Sequence, residues 1–93
     1  MEFQWSNAKN QSHQKKHGVS FEDASTIFFD TTTKVANDPE HSFTEERFLA
    51  IGYSSKQKLL LVIHCYQDDS EFIRIISARK ATKQERRQFE EGL

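Results

Sequence analysis

At 93 residues and a formal net charge of −1, the chain suits one domain and is too balanced for loose, wholly electrostatic binding to nucleic acid. Eight Phe, two Tyr and one Trp give a thin core large apolar area per residue, and the lone Cys65 excludes an internal disulfide. No apolar run reaches the length of a signal-peptide core or a membrane span, so a soluble cytoplasmic protein is expected.

Phe3 and Trp5 alternate with polar neighbours, as a short edge strand would. Ser6 is an N-cap candidate for a helix over residues 7–17, with Gly18 as its stop. That helix has Ala8 as its one clear apolar residue, so neighbours must hold it. Ser20 opens a second helix whose Phe21, Ala24, Ile27 and Phe28 fall on one face. Residues 30–35 are Thr-rich and favour a strand, while residues 37–42 hold the single proline and read as a loop.

Residues 45–53 read as a strand, and residues 59–66 (LLLVIHCY) as the central one. Residues 72–80 form a third, interrupted by Arg74, Arg79 and Lys80. Polar turns separate the three, which points to an antiparallel meander. Thr82 and Glu85 then have the spacing of a capping box and open a final helix carrying Phe89 and little else to bury. The expected architecture is one small α+β domain over residues 1–93. It has two N-terminal helices, an antiparallel sheet and a C-terminal helix, with the helices on one face and the other face partly open.

Charge is patterned along this order. Residues 20–47 carry seven acids against Lys34 and Arg47. From 74 to 87 there are six cations (Arg74, Arg79, Lys80, Lys83, Arg86 and Arg87) and one acid, Glu85. A charged residue on so apolar a strand needs a partner, solvent or an anion, so this block points to an anionic ligand. The bland alternative is an ordinary solvated surface.

Residues 16–24 (KHGVSFEDA), then Glu45, Glu46 and Arg47 with Ile51 and Gly52, then residues 73–82 (IRIISARKAT) with Glu85 and Arg86, occur in that order and spacing. This resembles the BrnT family of type II toxins, ribonucleases similar in fold to RelE, across nearly the whole chain. One departure is Gln4 and Ser6 around Trp5, where the family favours acids; Ser still caps a helix well. The resemblance implies a RelE-like fold and a bacterial toxin that cuts RNA and arrests translation. It implies a BrnA-like antitoxin with a ribbon-helix-helix DNA-binding part and a segment that wraps the toxin. Operator DNA would be met only through that antitoxin.

Such a reaction needs a base for the 2′-hydroxyl, charge stabilisation on the phosphorane-like transition state and an acid for the leaving 5′-oxygen; it needs no metal or other cofactor. Arginine suits the second task because its planar fork donates to two phosphate oxygens. The catalytic candidates are Arg47 and Arg79, with Glu45 and His41 near Arg47 for proton transfer. Lys80, Arg74, Lys16 and Lys83 are candidate RNA contacts. Against them stand structural readings: a salt bridge from Arg79 to Glu45 or Glu46, and an idle surface role for His41. Arg74 and Arg79 have opposite parity in a regular strand, so they share a face only if the strand bulges. His17 reads as a helix-end cation, His64 as a satisfied core residue, and Cys65 as a small buried hydrophobe. His13 and His17 lie four apart on a helix but no third ligand converges on them, so no metal is expected. Two other classes fit the same residues: a non-catalytic nucleic-acid-binding module, and an interaction domain that takes a partner on its open sheet face.

Overall fold

The computed structural model describes residues 1–41, 45–69 and 71–92. Strand β1 (Glu2–Gln4) is followed by helices α1 (Asn7–His17) and α2 (Phe21–Ser25), the latter running into a 3-10 turn at Thr26–Phe29. Strand β2 (Lys34–Asn37) and a second 3-10 turn (Pro39–His41) precede β3 (Phe48–Tyr53), β4 (Leu59–Gln67), β5 (Phe72–Lys80) and helix α3 (Lys83–Glu90).

The local signals are used where the sequence places them. Ser6 accepts from the Lys9 amide, and Gly18 ends α1 at φ 69°, a left-handed conformation that costs a glycine nothing. Ser20 accepts from the Asp23 amide at the start of α2. Thr82 and Glu85 form a reciprocal capping box at α3. The polar helix α1 is held by side-chain bonds rather than by an apolar stripe. Buried Asn10 donates to Glu22 Oε1 at 2.8 Å and accepts from the Phe21 amide at 2.8 Å. His13 pairs with Ser77 Oγ at 3.1 Å.

The five strands lie in the order β1-β5-β4-β3-β2. β2 to β5 are antiparallel neighbours, as expected, but β1 runs parallel to β5, so the sheet is mixed. The parallel pairing follows from α1 and α2, which carry the chain far enough for later strands to meet β1 in the same direction. The strand expected over residues 45–53 begins only at Phe48, and of the run 30–35 only Lys34 and Val35 join a strand, as the start of β2.

The core lies between the helices and one sheet face. Val19, Phe21, Ala24 and Ile27 pack on Ala50, Leu60, Val62, Ile73, Ile75 and Ala78, with Phe3, Trp5 and Phe28 at its margin. Gly52 belongs to the same face because a Cβ there would collide with the Thr33 side chain, whose hydroxyl donates to the Ile27 carbonyl at 2.6 Å. Against expectation, α3 does not join α1 and α2. Its Phe89 meets Tyr53 on the opposite sheet face, at 5.8 Å between ring centres, and Lys34 Nζ sits 5.2 Å from the Phe89 ring centre. With α1 and α2 already spread over the core face, the single apolar side chain of α3 finds uncovered apolar surface only across the sheet.

Candidate phosphodiester site on the open sheet face

One irregularity decides which cations meet. Leu61 pairs with Arg79, Val62 with Ala78 and Ile63 with Ser77, but His64 pairs with Ile75, leaving Ile76 as an extra residue. A one-residue bulge reverses the alternation beyond it. Arg74 and Arg79, which a regular strand would send to opposite faces, therefore share one. Ile73, Ile75 and Ala78 stay on the core face.

On the open face, Arg74 stands directly across from Cys65. Arg47 immediately precedes β3, where Phe48 pairs with His64, so it reaches Cys65 from the other side. The three form a row across the sheet. Glu45 completes it, with Oε1 3.8 Å from Arg47 Nη2. The thiol of Cys65 registers this company. Burial raises its pKa first and the Glu45 carboxylate adds to that, while Arg47 and Arg74 pull it down. Cys65 is fully buried and serves as the floor of the cluster.

Arg79 lies on the same face but in another row, opposite Leu61. Four residues along β4 separate the two rows, roughly 13 Å. Its guanidinium is already engaged: Nη1 donates to Glu85 Oε1 at 2.8 Å and Nη2 to Oε2 at 2.9 Å. Arg79 thus has a salt bridge, but with Glu85 rather than Glu45 or Glu46. The pairing holds the Glu85 carboxyl down at about 2 and raises the Arg79 pKa. Beside Arg79, between α3 and strands β2 to β4, runs a groove of about 270 Å³, floored by Leu49, Ile51 and Leu61 and rimmed by Lys34, Glu85 and Phe89.

The remaining candidates are spread out. Lys80 pairs with Leu60, a core-face position, and projects exposed from the strand end. Lys83 is the exposed first residue of α3. Lys16 is exposed in the last turn of α1, in the layer across the sheet from the arginines. His41 closes the turn Pro39–His41, and its side chain lies outside the described residues. That turn is tied to the site because the Asp38 amide donates to the Arg47 carbonyl at 2.9 Å.

His64 is fully buried, with Nε2 3.1 Å from the Tyr66 hydroxyl and its ring against Phe28 and Phe48. Burial pushes its pKa down to about 4, against a smaller opposing pull from the Val62 carbonyl. It is the satisfied core histidine the sequence suggested. Both ring nitrogens of His13 have partners, Lys9 O and Ser77 Oγ. Among the described residues, no three His, Cys, Asp or Glu side chains gather in a way that could hold a metal ion. Two features are placed only by the structure. The sequence left a bulge in residues 72–80 open without locating it, and it did not pair Glu85 with Arg79.

The chain is thus an α+β domain with a mixed five-stranded sheet that presents two arginines and a carboxylate in one row, groups whose chemistry suits an anionic ligand. The family model for the ribonuclease toxin BrnT of type II toxin-antitoxin systems matches residues 5–85, and the chain belongs to that family. Among solved structures, it is similar to the crystal structure of the Brucella abortus ribonuclease toxin BrnT. The two share 27% identity with a TM-score of 0.67, covering 89% of this chain and 99% of that one. No curated relative matches the chain. An antitoxin partner and an RNA target follow from the family. None of the described helices is long and apolar enough to cross a membrane.

Proposed function

We propose that this chain is a metal-independent endoribonuclease toxin whose chemistry takes place over Cys65, between Arg47 and Arg74. The observation that carries this is the row Arg47, Cys65, Arg74 with Glu45 beside it. In this reading the Glu45 carboxylate takes the proton of the RNA 2′-hydroxyl as that oxygen attacks the adjacent phosphorus. The two guanidinium groups bind the non-bridging oxygens as negative charge builds on them. His41, in the turn bonded to Arg47 through Asp38, gives a proton to the departing 5′-oxygen. Products are a 2′,3′-cyclic phosphate and a 5′-hydroxyl, with no oxidant or metal consumed.

Arg79 holds a neighbouring phosphate of the strand rather than the scissile one, because it stands a row away. Lys80 and Lys83 continue that track, and Lys16 is at most a peripheral contact from the other layer. The toxin's partner is a BrnA-like antitoxin with a ribbon-helix-helix part, and the fold is of the RelE type, both carried from the family resemblance.

Pure protein and RNA in excess chelator test the reading. New 5′-hydroxyl ends are expected, and Arg74→Ala should slow their appearance at least tenfold. Cleavage that starts only when a divalent metal is added overturns the metal-free route. Tight, salt-sensitive RNA binding without new ends would favour the binding-module alternative.

A further inference from the structure

We infer that the Arg79 fork is a phosphodiester-binding site and that Glu85 is its internal occupant, an anion RNA must displace. The inference rests on the nuclease reading above and goes beyond it by naming what regulates access to the strand-binding track.

The site is built from three donors that converge on one carboxylate. Arg79 Nη1 and Nη2 approach Glu85 Oε1 and Oε2, and the Thr82 amide donates to Oε1 at 2.8 Å. Two parallel guanidinium donors are the arrangement that recognises phosphate as readily as carboxylate. Arg79 Nη1 also donates to the Lys80 carbonyl at 3.1 Å, a bond within the chain that keeps the fork oriented when the carboxylate leaves. Lys80, Lys83 and Arg86 are its neighbours in the chain, all exposed, and Glu85 is the single acid between Arg74 and Arg87. In a block so cationic, the one acid is committed to the arginine that shares the open sheet face with Arg74, one row away.

Exchange is physically accessible. The two side chains remain 36% and 26% exposed, so an incoming anion can reach the pair without opening the core. Pairs this close to solvent contribute little net stability and exchange readily. Helix α3 buries none of its residues, so its start can shift as Glu85 swings out. A phosphate bound at Arg79 would fix the strand a few nucleotides from the bond held by Arg47 and Arg74. Glu85 is therefore a positioning residue: it sets whether Arg79 is available.

Glu85→Gln separates this role from simple capping. A glutamine at the third helical position still accepts from the Thr82 amide and preserves the capping box. It removes the charge and one acceptor from Arg79. The probe is a 2′-O-methyl RNA oligonucleotide, which binds without being cleaved. Glu85→Gln should bind it about tenfold more tightly. The slope of log affinity against log salt should steepen by roughly 0.7, one further phosphate contact on a single strand. Adding Arg79→Ala to Glu85→Gln should abolish the gain. Unchanged or weaker binding by a Glu85→Gln protein that melts like the wild type overturns the inference, as does a gain that survives Arg79→Ala. If Glu85→Gln does not fold, Glu85→Asp replaces it. Its side chain is one methylene shorter and draws the carboxylate back from the fork, so a smaller gain is expected and no gain refutes the site. Loss of the nuclease reading appears separately, as failure of the wild type to cut unmodified RNA, and leaves this binding measurement intact.

Discussion

Beneath α1 and α2, the sheet presents Ala50, Leu60, Val62 and Ala78 with no exposure at all, packed on Phe21, Ala24 and Ile27. Across the same strands, Leu49, Ile51, Leu61 and Ile63 stay half-buried, and the charged groups at their borders include Arg47, Arg74 and Arg79. The first face has the dense packing that carries stability in a small domain. The second forgoes that packing and keeps polar forks where a ligand can reach them. Stability and chemistry are thus assigned to opposite faces of the same five strands.

The largest test of that division lies on the closed face. Phe21→Ala should cost roughly 3–5 kcal/mol of unfolding free energy in a urea titration, enough to threaten folding of a domain this size. Leu61→Ala, across the sheet, should cost only about 1–2 kcal/mol. Equal losses at the two positions would erase the contrast. Next comes Arg47→Ala, expected to lower RNA cleavage on the order of a hundred- to a thousandfold while the melting curve stays close to that of the wild type. A variant that cuts normally would remove Arg47 from the centre.

Acidity separates the faces in a third way. Folded His64 binds its proton with a pKa of about 4, below its ordinary 6.5, so between those values the unfolded chain holds more protons. Its contribution is fully present above pH 6.5 and is lost as pH falls toward 4, a decline of roughly 3 kcal/mol at most. Glu85, held down to about 2 by Arg79, acts in a lower window: its contribution is present above pH 4.5 and lost as pH falls through 2. Urea midpoints measured from pH 7 to pH 2 should fall mainly through the His64 window, a step His64→Phe should remove, with the partly exposed Arg79–Glu85 pair adding little below it. The smallest effect is expected at α3. Thr82→Ala should weaken that helix by about 1 kcal/mol. Because α3 buries no residue, the loss should appear as faster amide exchange in residues 83–90 with the global transition nearly unmoved.

Part of the site was legible beforehand. Arg47, Glu45 and Arg74 were all candidates, and the structure sets each of them near Cys65. Arg47 and Arg79, the two catalytic candidates, lie in different rows, because those rows are set by register along β4. The option that β5 bulges was open in the sequence, yet nothing around Ile76 announces it. Glu85 shows the same limit: its spacing from Thr82 reveals the cap, but not that its second oxygen turns toward Arg79.

By itself the chain specified its helix starts at Ser6, Ser20 and Thr82, the stop at Gly18, its main strands and its family. These are written in short-range patterns, a capping oxygen three residues from its amide or apolar side chains at the period of a strand. Tertiary structure alone decided that β1 joins β5 in parallel, that α3 crosses to the far face, and that Arg74 and Arg79 point the same way. Each of those depends on which distant strands pair and in what register, and pairing energy is summed over residues far apart in the chain, so no local window contains it.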